Sequence, residues 1–433
     1  MKITKILAGT ACLAFAAAAC APGPDAGTAA EPGGPVSTKV PSKEIELKLV
    51  STPESGAAIK EIIRLWEAKH PNIKIAYQET GYDDYNKSLN LSLASEQAPD
   101  LALLNSVGTT VKDKLVRDLS PYADAYGWDK VYPSTQLDQW RVAGNGSTLG
   151  KGPLYAAPAG FSLVGVYYNK AKAKELGIAE PPKTLADFEA ALAKARSAGE
   201  VPLQLGNAEG HASLLVQLTG QSLDGAEKAA KWTYGQSGAT FDTQGNRTAL
   251  DKLGAWAKKG YIPGGANGVN LQGAVDKFTK GQGLFFVDGN WDAARIAERL
   301  GSDAGFFAFP GAKATGIGTS VAYAVASKSE HPDAAAAFLD FLHSPEASAA
   351  QFKAGFMPAD PAVAKAQPGT VMADVVNAWT RVGDDNGLVA FNNNATPTMD
   401  DKLTAATQEL LAGRTDTAGV IDTVQDEWAQ SHG

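Results

Sequence analysis

The fold is decided by residues 44–106, which read EIELKLVSTPESGAAIKEIIRLWEAKHPNIKIAYQETGYDDYNKSLNLSLASEQAPDLALLNS. Apolar and charged side chains alternate from Ile45 to Leu49, and this period of two predicts a strand. The apolar residues of 59–66 then recur at helical spacing, and the pattern continues with a strand over 73–77, a helix over 85–94 and an apolar strand over 101–104. This β-α-β order predicts a mostly parallel sheet covered by helices.

The same alternation of short apolar strands and helices continues along the chain. Residues 155–168 are rich in apolar and aromatic side chains. Strands are predicted at 283–287, 306–309 and 321–326, and helices at 185–196, 226–231, 332–342, 400–411 and 418–428. Trp66, Trp256 and Trp428 continue the apolar faces of their helices and are predicted to lie in the core. About 390 residues follow the N-terminal segment, which exceeds one hydrophobic core, so we expect two lobes.

The composition is that of a globular, mildly acidic protein. The 433 residues include 39 Lys and Arg against 47 Asp and Glu, a formal net charge of −8, which argues against a nucleic-acid binder. The sequence has two cysteines, Cys12 and Cys20, so a disulfide framework and a Cys-rich zinc site are excluded. The five histidines lack metal-ligand spacing, and no P-loop or dinucleotide motif occurs, so we expect neither a metal nor a cofactor.

The N-terminus has the pattern of an export signal. Residues 1–19 combine Lys2 and Lys5 with an apolar, Ala-rich run, which is typical of a secretory signal peptide. Three alanines lead into Cys20, which resembles a bacterial lipobox and predicts lipidation of this cysteine, with plain secretion as the alternative. Residues 20–42 are rich in Pro, Gly and Ala and predict a flexible tether, which would hold the protein at the outer face of the cytoplasmic membrane.

Four stretches of the sequence resemble one family, in the order in which that family carries them. They are residues 65–106, residues 154–196 with VYYN and PPKT, residues 278–291 with FTKGQGLFFVDGNW, and residues 318–347. The family is that of the family 1 extracellular solute-binding proteins of bacterial ABC importers, most of which bind sugars or oligosaccharides. The resemblance covers about residues 44–433. It implies an α/β fold of the two-lobed, periplasmic-binding-protein-like type II, with hinge strands joining the lobes and a ligand cleft between them.

The resemblance also implies the lobe boundaries. Lobe 1 is predicted over 43–156 and 311–355, and lobe 2 over 157–310 and 356–433. Ligands of α/β sheets bind outside the carboxyl ends of the strands, so the loops that follow the strands should line the cleft. Closure of the two lobes about the hinge would then bury a solute between them.

The candidate ligand contacts are aromatic and polar side chains near these loops, because sugars present flat apolar faces and rims of hydroxyl groups. They are Glu54, Tyr82, Asp83, Asn105, Phe161, Asn207, Asn290, Trp291, Ser320, Phe356 and Asn394. Trp291 comes first, since it follows a predicted strand and the resemblance places the Gly-x-Trp tryptophan of the family there. Asp83 and Asn290 could instead cap helices. Asn105 and Asn394 could form turns, and Phe161 could be a core residue.

Three other classes stay open beside a sugar-binding component of an importer. A surface glycosidase needs two carboxylates across a bond, and pairs such as Asp83 with Asp288 could be nominated. The sequence has no G-x-S-x-G and no H-E-x-x-H motif, however, and we expect no catalytic residue. An importer protein for a charged solute and a surface adhesin are the other two classes.

The residues and the resemblance together favour an extracellular, lipid-anchored binding protein without chemistry of its own. We expect it to be a monomer that captures a carbohydrate, a di- or oligosaccharide, and delivers it to the permease subunits of an ABC transporter. We expect it to touch the membrane only through the lipid anchor.

Overall fold

The computed structural model describes residues 36–132, 134–144, 146, 149–358 and 363–432. The predicted signal peptide, Cys20 and most of the predicted tether lie outside these residues. The end of that tether contacts the globular body, because Val36 and Val40 pack against its core. Asn72 Nδ2 also donates a hydrogen bond to the carbonyl oxygen of Pro41 over 2.8 Å.

Strands and helices alternate through most of the described chain. The strands are β1 (Ile45–Ser51), β2 (Ile73–Glu79), β3 (Leu101–Leu104), β4 (Arg141–Val142), β5 (Leu149–Leu154), β6 (Ala157–Phe161), β7 (Val164–Asn169), β8 (Leu203–Gln204), β9 (Phe285–Gly289), β10 (Ala304–Phe307), β11 (Gly316–Ile317), β12 (Ser320–Val325) and β13 (Leu388–Val389). The helices are α1 (Pro53–Lys69), α2 (Tyr82–Ala94), α3 (Gly108–Lys112), α4 (Ser120–Tyr126), α5 (Ser134–Asp138), α6 (Lys170–Glu175), α7 (Leu185–Ser197), α8 (Ala212–Asp224), α9 (Ala226–Thr233), α10 (Gln244–Lys258), α11 (Leu271–Thr279), α12 (Ala293–Leu300), α13 (Pro332–Phe341), α14 (Pro345–Lys353), α15 (Val371–Asp384), α16 (Met399–Leu411) and α17 (Thr417–His432).

The first sheet has the strand order β2-β1-β3-β12-β6. β1 runs parallel to β2 and β3, which confirms the fold predicted for residues 44–106, while β12 runs antiparallel to β3 and β6. Leu47 and Leu49 are fully buried, and the charged residues Glu46 and Lys48 that alternate with them are exposed, as the alternation requires. The core on this sheet includes Trp66 of α1, whose ring lies edge-on to Phe338 of α13 with centroids 5.6 Å apart.

The second sheet has the order β13-β11-β7-β9-β8, and β10 also pairs with β7. β7 is antiparallel to β9, β10 and β11. The core on the second sheet includes Phe188 of α7. The centroid of its ring lies 4.9 Å from that of Phe285 and 6.0 Å from that of Trp256. Trp66, Trp256 and Trp428 are all buried, so the prediction that they are core residues is confirmed. The two sheets, each with its own aromatic core, define two α/β lobes.

The chain passes between the two sheets in three places. Only residues 162–163 separate β6 from β7, and only residues 318–319 separate β11 from β12. The third passage follows Met357, which pairs with Phe161 through two main-chain hydrogen bonds of 2.7 and 3.0 Å. The boundaries predicted from the sequence at 156/157 and 310/311 fall a few residues before the first two crossings.

Candidate functional site

A cavity of about 150 Å³ lies between the two sheets and is lined by side chains from both lobes; we call it the main cavity. An enclosed water molecule needs about 10–15 Å³ of such space, so the main cavity has room for roughly ten of them. A second cavity of about 400 Å³, the adjoining cavity, has five lining residues in common with it. The shared residues are Tyr82, Asn105, Glu209, Asn393 and Asp400. The two cavities therefore form one continuous cleft.

The first lobe lines the main cavity with residues at the carboxyl ends of its parallel strands, where the ligands of α/β sheets bind. Glu54 lies in the first turn of α1, directly after β1, and Tyr82 begins α2 after β2. Asn105 follows β3, and its Nδ2 donates to Asn86 Oδ1 over 2.9 Å. Because β1, β2 and β3 are neighbours in the sheet, residues that are far apart in the sequence share one wall of the cavity.

The second lobe lines the opposite wall with residues near the starts of α8 and α16. Glu209 and His211 directly precede α8, and Asp400 lies in the first turn of α16. Gln217 of α8 donates from Nε2 to the carbonyl oxygen of Ala390 and accepts from the Asn392 N–H at Oε1, over 2.8 and 2.9 Å. These bonds tie α8 to the Asn-rich turn that precedes α16.

Trp291 lies in the 3₁₀ turn Asn290–Asp292 that follows β9, and its indole lines the main cavity. The ring is tilted against Phe391, with centroids 6.2 Å apart. Indole Nε1 is buried and has no hydrogen-bond partner in the described part of the chain. A Cβ atom on Gly289 would lie 2.2 Å from the ring, so only glycine at position 289 leaves room for the indole here. The arrangement offers a flat apolar surface next to an unused donor.

The structure brings six of the eleven predicted ligand contacts to the wall of the main cavity. They are Glu54, Tyr82, Asn105, Trp291, Ser320 and Phe356. Asp83 lines the adjoining cavity instead and forms an ion pair with Lys87 over 2.6 Å. Asn394 lies beside a smaller neighbouring cavity, where its Nδ2 donates to the carbonyl oxygen of Phe391 over 3.3 Å.

Asn290 lies away from the cavity wall, at the junction of two crossings between the lobes. It is 0% exposed. Its Oδ1 accepts a hydrogen bond from the Leu163 N–H over 2.8 Å, and its Nδ2 donates to the carbonyl oxygens of Phe161 and Gly355 over 3.1 and 2.8 Å. All three partners are main-chain groups in or directly beside the first crossing and just before the third. The side chain therefore fixes these segments to each other.

Asn207 and Phe161 are also buried and do not line the main cavity. Asn207 Oδ1 accepts from the N–H of Ala212, the first residue of α8, and its Nδ2 donates to Asn267 Oδ1, both over 2.8 Å. Phe161 lies at the first crossing, with its ring 6.2 Å from that of Trp379. Both side chains therefore contact other protein groups next to the cleft and do not line the main cavity.

Carboxylates dominate the electrostatics of the cleft. Burial raises the pKa of Glu209, and the charges of Glu54 and Asp83 raise it further. Burial also raises the pKa of Asp400 to about 6 and that of Tyr82 well above its ordinary value. For His211, burial lowers the pKa to about 4, so its imidazole is neutral at pH 7.

A buried pair of carboxyl groups lies next to the turn that carries Trp291. Both oxygens of Asp288 and Oδ2 of Asp292 lack hydrogen-bond partners among the described residues. Arg295 Nη1 lies 3.7 Å from Asp292 Oδ1. Burial raises the pKa of Asp288 well above its usual range and, less strongly, raises the pKa of Asp292 to about 6. This pair does not line either cavity of the cleft.

Some residues of the main cavity were missed by the choice of candidates from the sequence. Glu209 lies in the segment LGNAEGH between two glycines, which is a loop signal that could have singled it out. Asn392 and Asn393, rather than Asn394, are the members of the Asn triplet that line the cavity. Gln217 lies in mid-helix and Asp400 in a first helical turn, and nothing in the local pattern distinguishes either from a surface residue.

The chain matches the model of the family described as bacterial extracellular solute-binding protein over residues 50–349, more than half of its length. It therefore belongs to the bacterial extracellular solute-binding proteins. It is 25% identical over 301 residues to the multiple sugar-binding protein of Streptococcus mutans serotype c, which is 67% of this chain and 68% of that one. It is 28% identical over 213 residues to a probable sugar-binding periplasmic protein of Mesorhizobium japonicum, 47% of this chain and 48% of that one.

Solved structures share the fold over nearly the whole described chain. A chitin oligosaccharide binding protein superposes with a TM-score of 0.75 at 20% identity, covering 89% of this chain and 99% of the other. The solute-binding protein RafE in complex with raffinose superposes with a TM-score of 0.71 at 18% identity. The superposition covers 90% of this chain and 100% of the other. The family and the two-lobed α/β fold predicted from the sequence are thereby confirmed.

The family is one of solute-binding proteins and not of enzymes. The family description also places the protein outside the cytoplasm. Within the residues that the structure describes, no helix is both long and apolar enough to span a membrane.

Proposed function

We propose that the chain captures a carbohydrate in the main cavity and delivers it to the permease subunits of an ABC transporter. The observation that carries this proposal is an aromatic platform, Trp291, beside buried polar atoms that lack partners. These atoms are Trp291 Nε1, Glu54 Oε2, His211 Nδ1 and Asn393 Oδ1, and none has a hydrogen-bond partner among the described residues. A buried polar group without a partner costs about 1–3 kcal/mol, so a ligand rich in hydroxyl groups would stabilise this cavity.

The relatives support a carbohydrate as the solute. The two similar proteins are described as a multiple sugar-binding protein and a probable sugar-binding periplasmic protein. The similar folds include a chitin oligosaccharide binding protein and proteins solved with raffinose and stachyose.

The size of the cleft supports a di- or oligosaccharide over a single sugar. Ten waters occupy about 300 Å³ as liquid, at the small end of the range for small-molecule pockets. The adjoining cavity of about 400 Å³ continues the main cavity past Tyr82 and Asn105. We propose that one end of the saccharide binds against Trp291 and that further sugar units extend into the adjoining cavity.

The hinge supports a capture mechanism in which the two lobes close on the ligand. Glu54 and Tyr82 belong to the first lobe, and Glu209 and Asp400 to the second. A ligand that contacts both walls binds the closed form better than the open form, which is the condition for ligand-driven closure. We propose that the permease recognises this closed form.

The N-terminal sequence supports anchoring at the membrane. We propose that residues 1–19 are removed on export, that Cys20 is lipidated, and that residues 20–42 tether a monomeric binding protein to the outer face of the cytoplasmic membrane. Metabolic labelling with a fatty acid should mark the natural protein and leave a Cys20→Ser variant unlabelled. Equal labelling of the two proteins would contradict the proposed anchor.

A thermal-shift screen of the purified protein tests the proposed function. The panel holds mono-, di- and oligosaccharides, with amino acids, polyamines and inorganic anions as controls. A ligand at 100 times its dissociation constant should add about 2.7 kcal/mol to the free energy of unfolding. We expect a shift with one class of saccharide and no change in that saccharide after incubation. A shift only with an amino acid, a polyamine or an anion would overturn the carbohydrate proposal.

A further inference from the structure

The described residues that line the main cavity include carboxyl groups from both lobes and no side-chain cation. Glu54 comes from the first lobe, and Glu209 and Asp400 come from the second. No lysine or arginine occurs among the described residues that line this cavity. The one histidine of the wall, His211, has a pKa lowered by burial to about 4 and is therefore neutral.

Among the described residues, no lysine or arginine forms an ion pair with any of the three carboxylates. Glu54 Oε1 accepts from Gln272 Nε2 over 3.3 Å, Glu209 accepts from the Leu271 N–H over 2.9 Å, and Asp400 accepts from Asn393 Nδ2 over 3.4 Å. Glu54 and Asp400 lie in the first turns of helices, whose N-termini each supply about half an elementary positive charge. These partial charges offset only part of the carboxylate charge.

Two buried acceptors of the wall lack a donor. Glu54 Oε2 and Asn393 Oδ1 are buried acceptors without partners among the described residues. Thr52 also lines the cavity, is 2% exposed and makes no side-chain hydrogen bond within the described chain. The described wall thus combines two unpaired acceptors and three carboxyl groups with one unpaired indole donor, Trp291 Nε1, and with no lysine or arginine.

We propose that the saccharide bound here carries a protonated amine, so that the ligand of the proposed function is an amino sugar. An ammonium group brings three donors and no acceptor, which matches a wall of carboxylates and an amide oxygen. Its charge interacts favourably with acids of both lobes at once, and the attraction is strong in a partly desolvated cavity. The same charges disfavour a uronic acid or a phosphorylated sugar.

Two other cations fit the cavity less well. Among the described residues, no group of three or more His, Cys, Asp or Glu side chains is arranged to hold a metal ion, so a divalent cation is not favoured. A simple aliphatic polyamine would satisfy the carboxylates but has no flat apolar face for the Trp291 ring. An amine attached to a sugar ring would pair with the carboxylates through its charge and contact the Trp291 ring through the flat face of the sugar.

A series of β-1,4-linked disaccharides that differ in charge tests the proposal by calorimetry on the purified protein. Its members carry glucosamine, glucose, N-acetylglucosamine or glucuronate units. We expect the glucosamine disaccharide to bind at least tenfold more tightly than the glucose disaccharide, with an advantage that shrinks at high salt, and the glucuronate disaccharide to bind most weakly. Putrescine alone should bind at least tenfold more weakly than the amino sugar.

Equal or tighter binding of a neutral member, or capture of only neutral sugars from the wider panel, would overturn the amine proposal and leave the carbohydrate function standing. Binding of no saccharide at all would refute the carbohydrate function itself. Putrescine binding as tightly as the amino sugar would assign the site to a bare amine and also overturn the proposal. The three failures are therefore distinguishable.

Charge-removing variants locate the origin of the preference. The preference for the amine is the dissociation constant of the glucose disaccharide divided by that of the glucosamine disaccharide. Glu209→Gln and Asp400→Asn should each reduce this ratio at least fivefold. Glu330→Gln removes an exposed carboxylate outside both cavities and should leave this ratio unchanged. Unchanged ratios in both cavity variants would show that these carboxylates do not select the amine.

Discussion

Replacing Asn290 with alanine should weaken the junction between the two lobes. The change removes a fully buried amide that binds the first and the third crossings together. The Leu163 N–H would lose its acceptor at 2.8 Å, and the carbonyl oxygens of Phe161 and Gly355 would lose a donor at 3.1 and 2.8 Å. Alanine at this position supplies none of these bonds.

The size of the effect follows from the number of bonds. Each hydrogen bond contributes about 1 kcal/mol net, so the three together contribute about 3 kcal/mol. The Leu163 amide would stay buried without its acceptor, which costs at least about 1 kcal/mol more. We therefore expect the free energy of unfolding to fall by about 4 kcal/mol, a large part of the 5–15 kcal/mol that is typical of folded proteins.

Urea unfolding followed by circular dichroism and by tryptophan fluorescence measures this difference. The two probes must give coincident transitions before one free energy describes the protein. Asn394→Ala is the matched control, because Asn394 makes one 3.3 Å bond to the Phe391 carbonyl oxygen and should cost less than about 1 kcal/mol. Calorimetry on the folded variants separates this loss of stability from any loss of saccharide affinity.

The reasoning is refuted if Asn290→Ala loses less than about 1 kcal/mol of stability while its saccharide affinity falls tenfold or more. That result would mean that Asn290 contacts the ligand, as the sequence allowed, and that its main-chain bonds contribute little. A loss of about 4 kcal/mol with the affinity retained would assign the residue to the hinge.

Three further predictions concern the turn next to Asn290. Trp291→Ala should weaken saccharide binding at least tenfold by calorimetry, with an unchanged circular dichroism spectrum; unaltered affinity would exclude stacking on this ring. Gly289→Ala places a Cβ atom 2.2 Å from the indole and should reduce both thermal stability and affinity, whereas a fully active, equally stable variant would show that the ring has space to move. Asp288 and Asp292 have pKa values raised by burial, for Asp292 to about 6, so their contribution to stability is present below about pH 4 and is lost as the pH rises through 6. The contribution of this pair to the free energy of unfolding should therefore fall as the pH rises from about 4 through 6, and Asp288→Asn should show a smaller fall than the natural protein in urea titrations; an identical pH dependence of the two proteins would count against the buried pair.

The first wall of the cleft could be predicted from the sequence because it depends on local patterns. The alternation at 45–49 and the helical spacing at 59–66 specify a strand and a helix, and parallel neighbours bring their carboxyl ends together. Glu54, Tyr82 and Asn105 therefore reach the cavity wall as expected.

The second wall could not be predicted in the same way, because it depends on contacts between distant segments. Gln217 lines the cavity only because its amide binds the main chain at Ala390 and Asn392, more than 170 residues away. Asn290 and Trp291 are adjacent in the sequence, yet one fixes the hinge and the other lines the cavity. In a 3₁₀ turn successive side chains point about 120° apart, so two neighbouring residues contact different parts of the protein.

The common origin of Glu54, Tyr82 and Asn105 in three successive strand ends has a consequence for how specificity changes. These three residues come from one uninterrupted segment of about 60 residues, whereas the residues of the opposite wall come from segments spread over about 200 residues. A recombination event that exchanges the first segment replaces several contact residues at once and keeps its strands in register. New ligand preferences can therefore arise by segment exchange in the first lobe, while the second lobe changes residue by residue.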